Sequence, residues 1–267
     1  GMRTQKKRKL LCFAGLALLL LAVALLAEQL SPYDPNQQNY EMALQAPSLA
    51  HPFGTDRYGR DMLSRVLAGA RISIFSALAV VLASSVLGTG VGILCGYAGK
   101  VLDTVLMRIA DVCLAFPGLV FALAVAALLN GGTISAVIAL TAVSWPKYAR
   151  LSRGQTLAVR QEDYIAAARL SGDSTLQILV RHVLPGIGSQ ILVTAMLDVG
   201  TMMMELAALS FLGLGARLPA AEWGSMMSGG RSMLQTWPWV VLTPGIGIFV
   251  TVAVFNLLGD ALRDYLE

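Results

Sequence analysis

Charge is what this sequence lacks most. Asp, Glu, Lys and Arg make up 13% of the 267 residues, against 56% hydrophobic, where soluble domains carry about 25% charged residues. With so little charge the chain cannot cover a water-facing surface. Its apolar residues also fall in long blocks, so an ordinary soluble domain is excluded and a polytopic membrane protein is expected. Cysteine is scarce: Cys12, Cys95 and Cys113 sit inside apolar runs, at spacings that fit neither a zinc site nor a disulfide framework. They read as small buried hydrophobes. The two histidines, His51 and His182, are too few and too far apart for a metal triad. The sequence contains no G-x-x-x-x-G-K-[ST], so no phosphate-cradling loop, and the chain itself is expected to bind no nucleotide. H-E-x-x-H and G-x-S-x-G are missing as well, which argues against an intramembrane enzyme. No basic stripe interleaved with aromatics points to nucleic acid.

What is present is a series of spans. The run at residues 10–27 follows "RTQKKRK". A basic start before an apolar stretch also describes a signal peptide, but eighteen apolar residues are long for a signal core, and further spans follow. It is expected to be the first transmembrane helix, with its N-terminus in the cytoplasm. Five more candidates of bilayer-crossing length lie at 72–97, 109–129, 133–151, 187–214 and 239–259. The fold class is therefore an all-α membrane protein with six transmembrane helices. Gly88, Gly92 and Gly96 recur every four residues in the second span, with Gly90 between them, a small-residue stripe that lets helices approach closely in lipid. Pro117 and Pro146 are expected to bend the third and fourth spans.

With six spans and the N-terminus inside, the inner segments hold Arg3, Lys6, Lys7, Arg8, Lys9, Lys100, Arg108, Lys147, Arg150, Arg153, Arg160, Arg169, Arg181 and Arg263. That is fourteen of the twenty Lys and Arg, the bias that orients membrane proteins. Both termini are then cytoplasmic. Arg57, Arg60, Arg65, Arg71, Arg217 and Arg231 remain outside, the first two beside Asp56 and Asp61. An exposed Asp56–Arg60 pair there would have small energetic value. The chain divides into an N-terminal tail with the first helix (1–30), an extracytoplasmic segment (31–70) and a five-helix core (71–267).

The stretch "RQEDYIAAARLSGDSTLQILVRHVLPG", residues 160–186, then falls in the cytoplasm. Leu176, Leu179, Val180, Val183 and Leu184 follow i, i+3, i+4, i+7, i+8, one apolar stripe on a helix. "EDYIAAARLS" is a shorter helix begun by acidic residues. Gly172 separates the two, Asp173 or Ser174 can cap the second, and Pro185 is expected to stop it. Such a hairpin could lie on lipid headgroups or be gripped by a soluble partner.

"AAARLSG…LP" resembles the EAA loop of ABC importer permeases, in which an E-A-A triplet precedes a Gly by four residues and Leu-Pro follows. The triplet here is Ala166, Ala167 and Ala168, the Gly is Gly172, and Leu184-Pro185 closes the pattern. Ala166 stands where the pattern has Glu. "HPFGTDRYGRDMLSRVLAGARIS" (51–73), "SFLGLG" (210–215), "EWGSMM" (222–227) and "FNLLGDALRD" (255–264) are similar to the second permease subunit of the dipeptide, oligopeptide and nickel importers. The resemblance implies a type I importer permease. It would pair with a homologous permease, with two cytoplasmic ATPases that bind ATP and magnesium, and with an extracytoplasmic substrate-binding protein, in the bacterial inner membrane. It makes 160–186 a coupling loop, with Tyr164, Ala166, Ala167, Ala168, Gly172, Leu184 and Pro185 facing the ATPase, and it makes 31–70 a place where the binding protein docks. This chain would line the passage and would not be an enzyme.

Asp198 and Glu205 lie inside the fifth span, seven residues apart, with Met202 to Met204 between them. Acids at membrane depth are costly and face a cavity or a partner. Carboxylates and thioethers can meet a metal cation, although Met also simply fills gaps. Asp198, Met202 and Glu205 are candidate lining of the passage, with no firm metal site. The Met pair, Glu205 and "AEWG" (221–224) are more similar to nickel permeases than to peptide permeases. The expected cargo is nickel or a metal chelate, with a dipeptide or oligopeptide as the alternative. A secondary transporter using Asp198 and Glu205 for protons or sodium is the competing class, but no matching pair of broken helices supports it.

Overall fold

The computed structural model describes residues 2–266, with side chains from Thr4 to Leu266. Gly1, Glu267 and the Arg3 side chain, one of the N-terminal cations above, lie outside the described residues. The fold is all-α. Helix α1 (Met2–Leu25) is followed by the single turn α2 (Ala27–Leu30) and an irregular segment that runs to α3 (Met62–Ala98). Next come α4 (Lys100–Ala115), α5 (Gly118–Leu128), α6 (Thr133–Val159), α7 (Asp163–Leu170), α8 (Thr175–Ile178), α9 (Leu184–Phe211), α10 (Trp223–Gly230) and α11 (Trp239–Leu266).

Four single segments are long and apolar enough to cross a bilayer: Thr4–Leu25, Met62–Ala98, Thr175–Phe211 and Trp239–Leu266. The predicted third span is not one helix. α4 and α5 meet at 96° and pass only as a bent pair. Pro117 does more than bend this span. It pushes Phe116 into extended backbone (ψ 147°), because the proline ring excludes the helical region for the residue before it. The predicted fourth span is the 27-residue α6, which Pro146 does not interrupt. Its second half carries Lys147, Arg150 and Arg153, so composition alone does not mark it as a span. Five of the expected six spans are therefore present by length and composition, four as plain helices and one as a broken pair, and α6, polar at one end, falls short of that measure.

α3 and α6 form the axis of the bundle, and the glycine stripe is the reason they can. A Cβ added at Gly92 would overlap the Ser152 hydroxyl and the Ala149 carbonyl, and one at Gly88 would overlap the Trp145 carbonyl. At Gly96 it would lie 2.8 Å from Thr156 Cβ. Gly90, on another face, meets nothing within 4 Å. Around this seam the main core joins Ile74, Ala77 and Val80 of α3, Ala139 and Leu140 of α6, Val199 and Met203 of α9, and Phe255 of α11. Lys9 Nζ lies 3.0 Å from Asp264 Oδ2, which puts the two ends of the chain on the same side of the bundle.

Candidate functional site

Residues 160–186 fold as the expected hairpin, with two corrections. α7 ends at Leu170 with Ser171 as its C-cap, and Gly172 (φ +87°) makes the left-handed turn. Ser174 caps α8 in a reciprocal box with Gln177, accepting from the Gln177 N–H and donating its own N–H to Gln177 Oε1 at 2.7 Å. Asp173, the other candidate cap, instead reaches His182 Nε2 at 3.1 Å and ties the turn to the second helix.

The first correction is at Pro185, which does not stop the helix. The helical path runs from Thr175 to Phe211, and Leu179–Val183 is a π-turn. A proline has no N–H to give and its ring crowds the carbonyl four residues back. The wider π-turn just before it relieves both, as such turns do within longer helices. The second correction follows from the first. The π-turn shifts the helical register, so Leu179 and Val183 are buried as expected, but with Ile178 and Ile187 in place of Leu176, Val180 and Leu184. The buried set closes over Ile165 and Ala168 of α7 and Ile93 of α3, a small core separate from the main one.

The outer face of the hairpin therefore holds large apolar side chains in the open, among polar ones such as Arg169, Gln177 and Arg181. Leu170 is 90% exposed and Leu176 71%. Of the residues expected to face a partner, Tyr164, Ala166, Ala167, Gly172, Leu184 and Pro185 are exposed, and Ala168 is buried in the small core. The Tyr164 hydroxyl sits over Gly186, where an added Cβ would come within 3.1 Å of it. Contacts missed by the sequence reading fasten the hairpin to α3. Arg160 Nη1 donates to the Gly96 carbonyl at 3.0 Å, and Arg169 lies 5.2 Å over the Tyr97 ring. Two arginines flanking an Ala-rich helix were the only signal of these contacts.

In α9, Asp198 is buried and both its oxygens are engaged. One accepts from Lys147 Nζ and the other from the Tyr148 hydroxyl at 2.9 Å, both on α6. Met202 is also buried, with the Ser144 hydroxyl 3.5 Å from its sulfur. Glu205 is half-buried two turns further along. Met204 is exposed and borders an apolar groove of about 740 Å³ between α9, α10 and α11, with Phe211, Met227 and Phe249. Asp198 and Met202 thus sit in the α6–α9 seam, and Glu205 is the member of the trio nearest to open space.

At the opposite end of the bundle, "FGTDRYGRD" is a buried knot, and here the expected exposed pair is corrected. Asp56 and Arg60 are both buried, with Arg60 Nε 2.6 Å from Asp56 Oδ2. Arg65, also buried, donates to the Pro35 carbonyl at 3.0 Å. Asp61 caps α3 through the Ser64 N–H at 2.8 Å and meets His51 Nδ1 at 2.8 Å. Trp239 Nε1 donates to the Thr55 carbonyl, and Trp223 Nε1 to that of Val66. Glu222 of "EWGSMM" caps α10, accepting from the N–H groups of Gly224 and Ser225. The motifs at 51–73 and 222–227 thus belong to one cap, and burial follows because residues more than 150 positions away cover it.

Comparison with known proteins agrees with this architecture. Residues 88–267 match the family of binding-protein-dependent transport system inner membrane components, and residues 5–47 match the N-terminal TM domain of oligopeptide transport permease C. A glutathione transport system permease protein, GsiD, from Pectobacterium atrosepticum is 45% identical over 95% of this chain and 85% of its own length. GsiD from Escherichia coli O157:H7 is 43% identical over 99% of this chain and 88% of its own. Among solved structures, an inward-facing form of the MetNI methionine ABC transporter shares the fold, with a TM-score of 0.54 and 19% identity over 72% of this chain and 94% of that one. A bundle seamed by α3 and α6, with a helical hairpin at one end and a cap at the other, is therefore the permease subunit of an ABC importer, and the chain belongs to the inner-membrane components of binding-protein-dependent transport systems, in their oligopeptide branch.

Proposed function

We propose that this permease forms half of a passage for a small peptide-type solute. The exposed apolar face of α7 and α8 would be the surface on which an ATPase subunit sits. The carrying observation is the hairpin itself: large apolar side chains held outward on a small, separately packed core, with Gly172 at its turn. An exposed apolar patch on a rigid support marks an interaction site. On this reading the hairpin and both chain ends are cytoplasmic, the cap is extracytoplasmic and available to a binding protein, and the groove along α9 and α11 faces the homologous permease. The division into 1–30, 31–70 and 71–267 is kept. ATP and magnesium would be held by the ATPases, and this chain would carry no catalytic group.

The cargo follows the relatives, whose names specify glutathione. The nickel reading lacks a comparable support. Asp198 is committed to Lys147 and Tyr148, Met202 to the seam, and among the described residues no three His, Cys, Asp or Glu side chains come together as a metal site. The test is uptake by the whole importer, reconstituted with its binding protein and ATPases. The expected result is ATP-dependent accumulation of glutathione or short peptides, and no accumulation of Ni²⁺ supplied alone. Accumulation of Ni²⁺ without peptide uptake would restore the metal reading.

A further inference from the structure

An open cleft lies between α4 and α6, and ion pairs bridge it. α4 lies between two backbone breaks. At one end Gly99 and Lys100 both have left-handed φ (+63° and +58°), and at the other the chain turns 96° at Phe116–Pro117. Between them α4 buries a single residue, Ala110, while Val101, Val105 and Val112 face outward, exposed. What holds the other face is ionic. Arg153 gives Nε and Nη2 to the two Asp103 oxygens at 2.5 and 2.7 Å, and Arg150 Nη2 pairs with Asp111 two turns further along α4. Both arginines belong to α6.

The two sides of α6 are thus attached differently. Towards α3 the contact is backbone on backbone through Gly88, Gly92 and Gly96, and opening it would strip close-packed groups bare. Towards α4 the contact is made at the tips of long side chains, in two partly exposed ion pairs of which the bidentate Arg153–Asp103 is the stronger. α6 also runs directly into the hairpin. Val159 packs on the hairpin core, and Arg160, seven residues after Arg153, holds the end of α3. A displacement of the hairpin therefore reaches Arg150 and Arg153 through one continuous helix, and the joint that yields first is α4.

We propose that α4 is the moving wall of the passage at its hairpin end, and that the Asp103–Arg153 and Asp111–Arg150 pairs are its latch. This rests on the coupling role proposed for the hairpin. The four side chains are positioning residues and need not touch cargo. Phe116–Pro117 and Gly99–Lys100 are the pivots.

The test uses the whole importer in proteoliposomes. In a background with Cys12→Ser, Cys95→Ala and Cys113→Ser, Asp103→Cys and Arg153→Cys are joined by a short bismaleimide that a reductant cleaves. Joining is expected to remove most of the uptake, because a gating step that cannot occur halts the cycle, and cleavage to restore it. The exchange Asp103→Arg with Arg153→Asp should recover most of the uptake lost in either single variant, the signature of a pair that acts together. Full-rate uptake by the joined protein, or failure of the two cysteines to join, overturns the latch. If the single variants do not assemble, the charge exchange decides: recovery of assembly and uptake supports the pair, and continued loss overturns it. Should uptake survive both joining and Gly172→Val, the coupling reading fails as well; survival of joining alone sinks only the latch.

Discussion

At the cap end of the bundle, five charged groups, Asp56, Arg60, Asp61, Arg65 and Glu222, are buried and each has a partner. At the hairpin end, large apolar groups are exposed and have none. Asp56, Arg60, Asp61 and Arg65 are all nearly inaccessible and knotted to α3, Pro35 and His51, with Trp239 pinned to the same loop. Leu170 and Leu176 project into solvent from a hairpin held by seven buried apolar residues and two arginine contacts. A buried ionic knot cannot loosen without leaving a charge unpaired in a dry site, so the cap is built to keep its shape. The hairpin is built to meet another surface and move with it. The glycines show the same division. Gly92 is essential for lack of space, whereas Gly172 has open space around it and is required by its backbone angle.

Substitutions can sharpen or break this contrast. The largest effect is expected at the seam that both ends share. Gly92→Val should abolish recovery of folded, monodisperse protein, because its side chain would occupy the place of Ser152 and Ala149. Gly90→Ala, with nothing nearby, should stay within about 0.5 kcal/mol of the parent in thermal unfolding. Next comes the cap. Arg60→Gln leaves the buried Asp56 carboxylate with Arg65 Nε at 3.7 Å and a weaker partner at position 60, an effect of about 1–3 kcal/mol that should lower the melting temperature of the purified protein. The ratio of solute imported to ATP hydrolysed should not change in the protein that remains folded.

Gly172→Val reverses that pattern. The strained left-handed turn costs about 1–2 kcal/mol, so the protein should still insert and assemble. Import per ATP hydrolysed should fall sharply, and normal coupling in this variant would erase the distinction drawn between the ends. The smallest effect is expected at Glu205→Gln, which should reduce uptake in part without loss of assembly. Asp198→Asn, which weakens a buried pair, should reduce assembly instead. A structural role for both acids would make the two variants behave alike.

The sequence made legible those features that depend on neighbours a few residues apart. The stripe Gly88, Gly92, Gly96 marked the α3–α6 seam, the helix–Gly–helix pattern marked the hairpin, and Pro117 marked a break. Features that depend on distant partners were not legible. Nothing near Asp56 says that Trp239 will cover its loop, and nothing near Asp198 says that Lys147 and Tyr148 will reach it. Pro185 was misread for a different reason. A proline interrupts a helix through its missing N–H and its crowding of the carbonyl four residues back, and the π-turn at Leu179–Val183 accommodates both. The same turn displaced the apolar stripe from Leu176 and Val180 to Ile178 and Ile187.

The claim that the hairpin is the surface moved by an ATPase is tested most directly at Leu170, the most exposed of its large apolar residues. Leu170→Cys, in the cysteine-free background, would be labelled with a bulky membrane-impermeant maleimide in membrane vesicles of each orientation. The account predicts labelling only when the cytoplasmic face is outermost, and protection once the ATPase subunits are bound. Labelling from the extracytoplasmic side, or equal labelling with and without the ATPases, would contradict it.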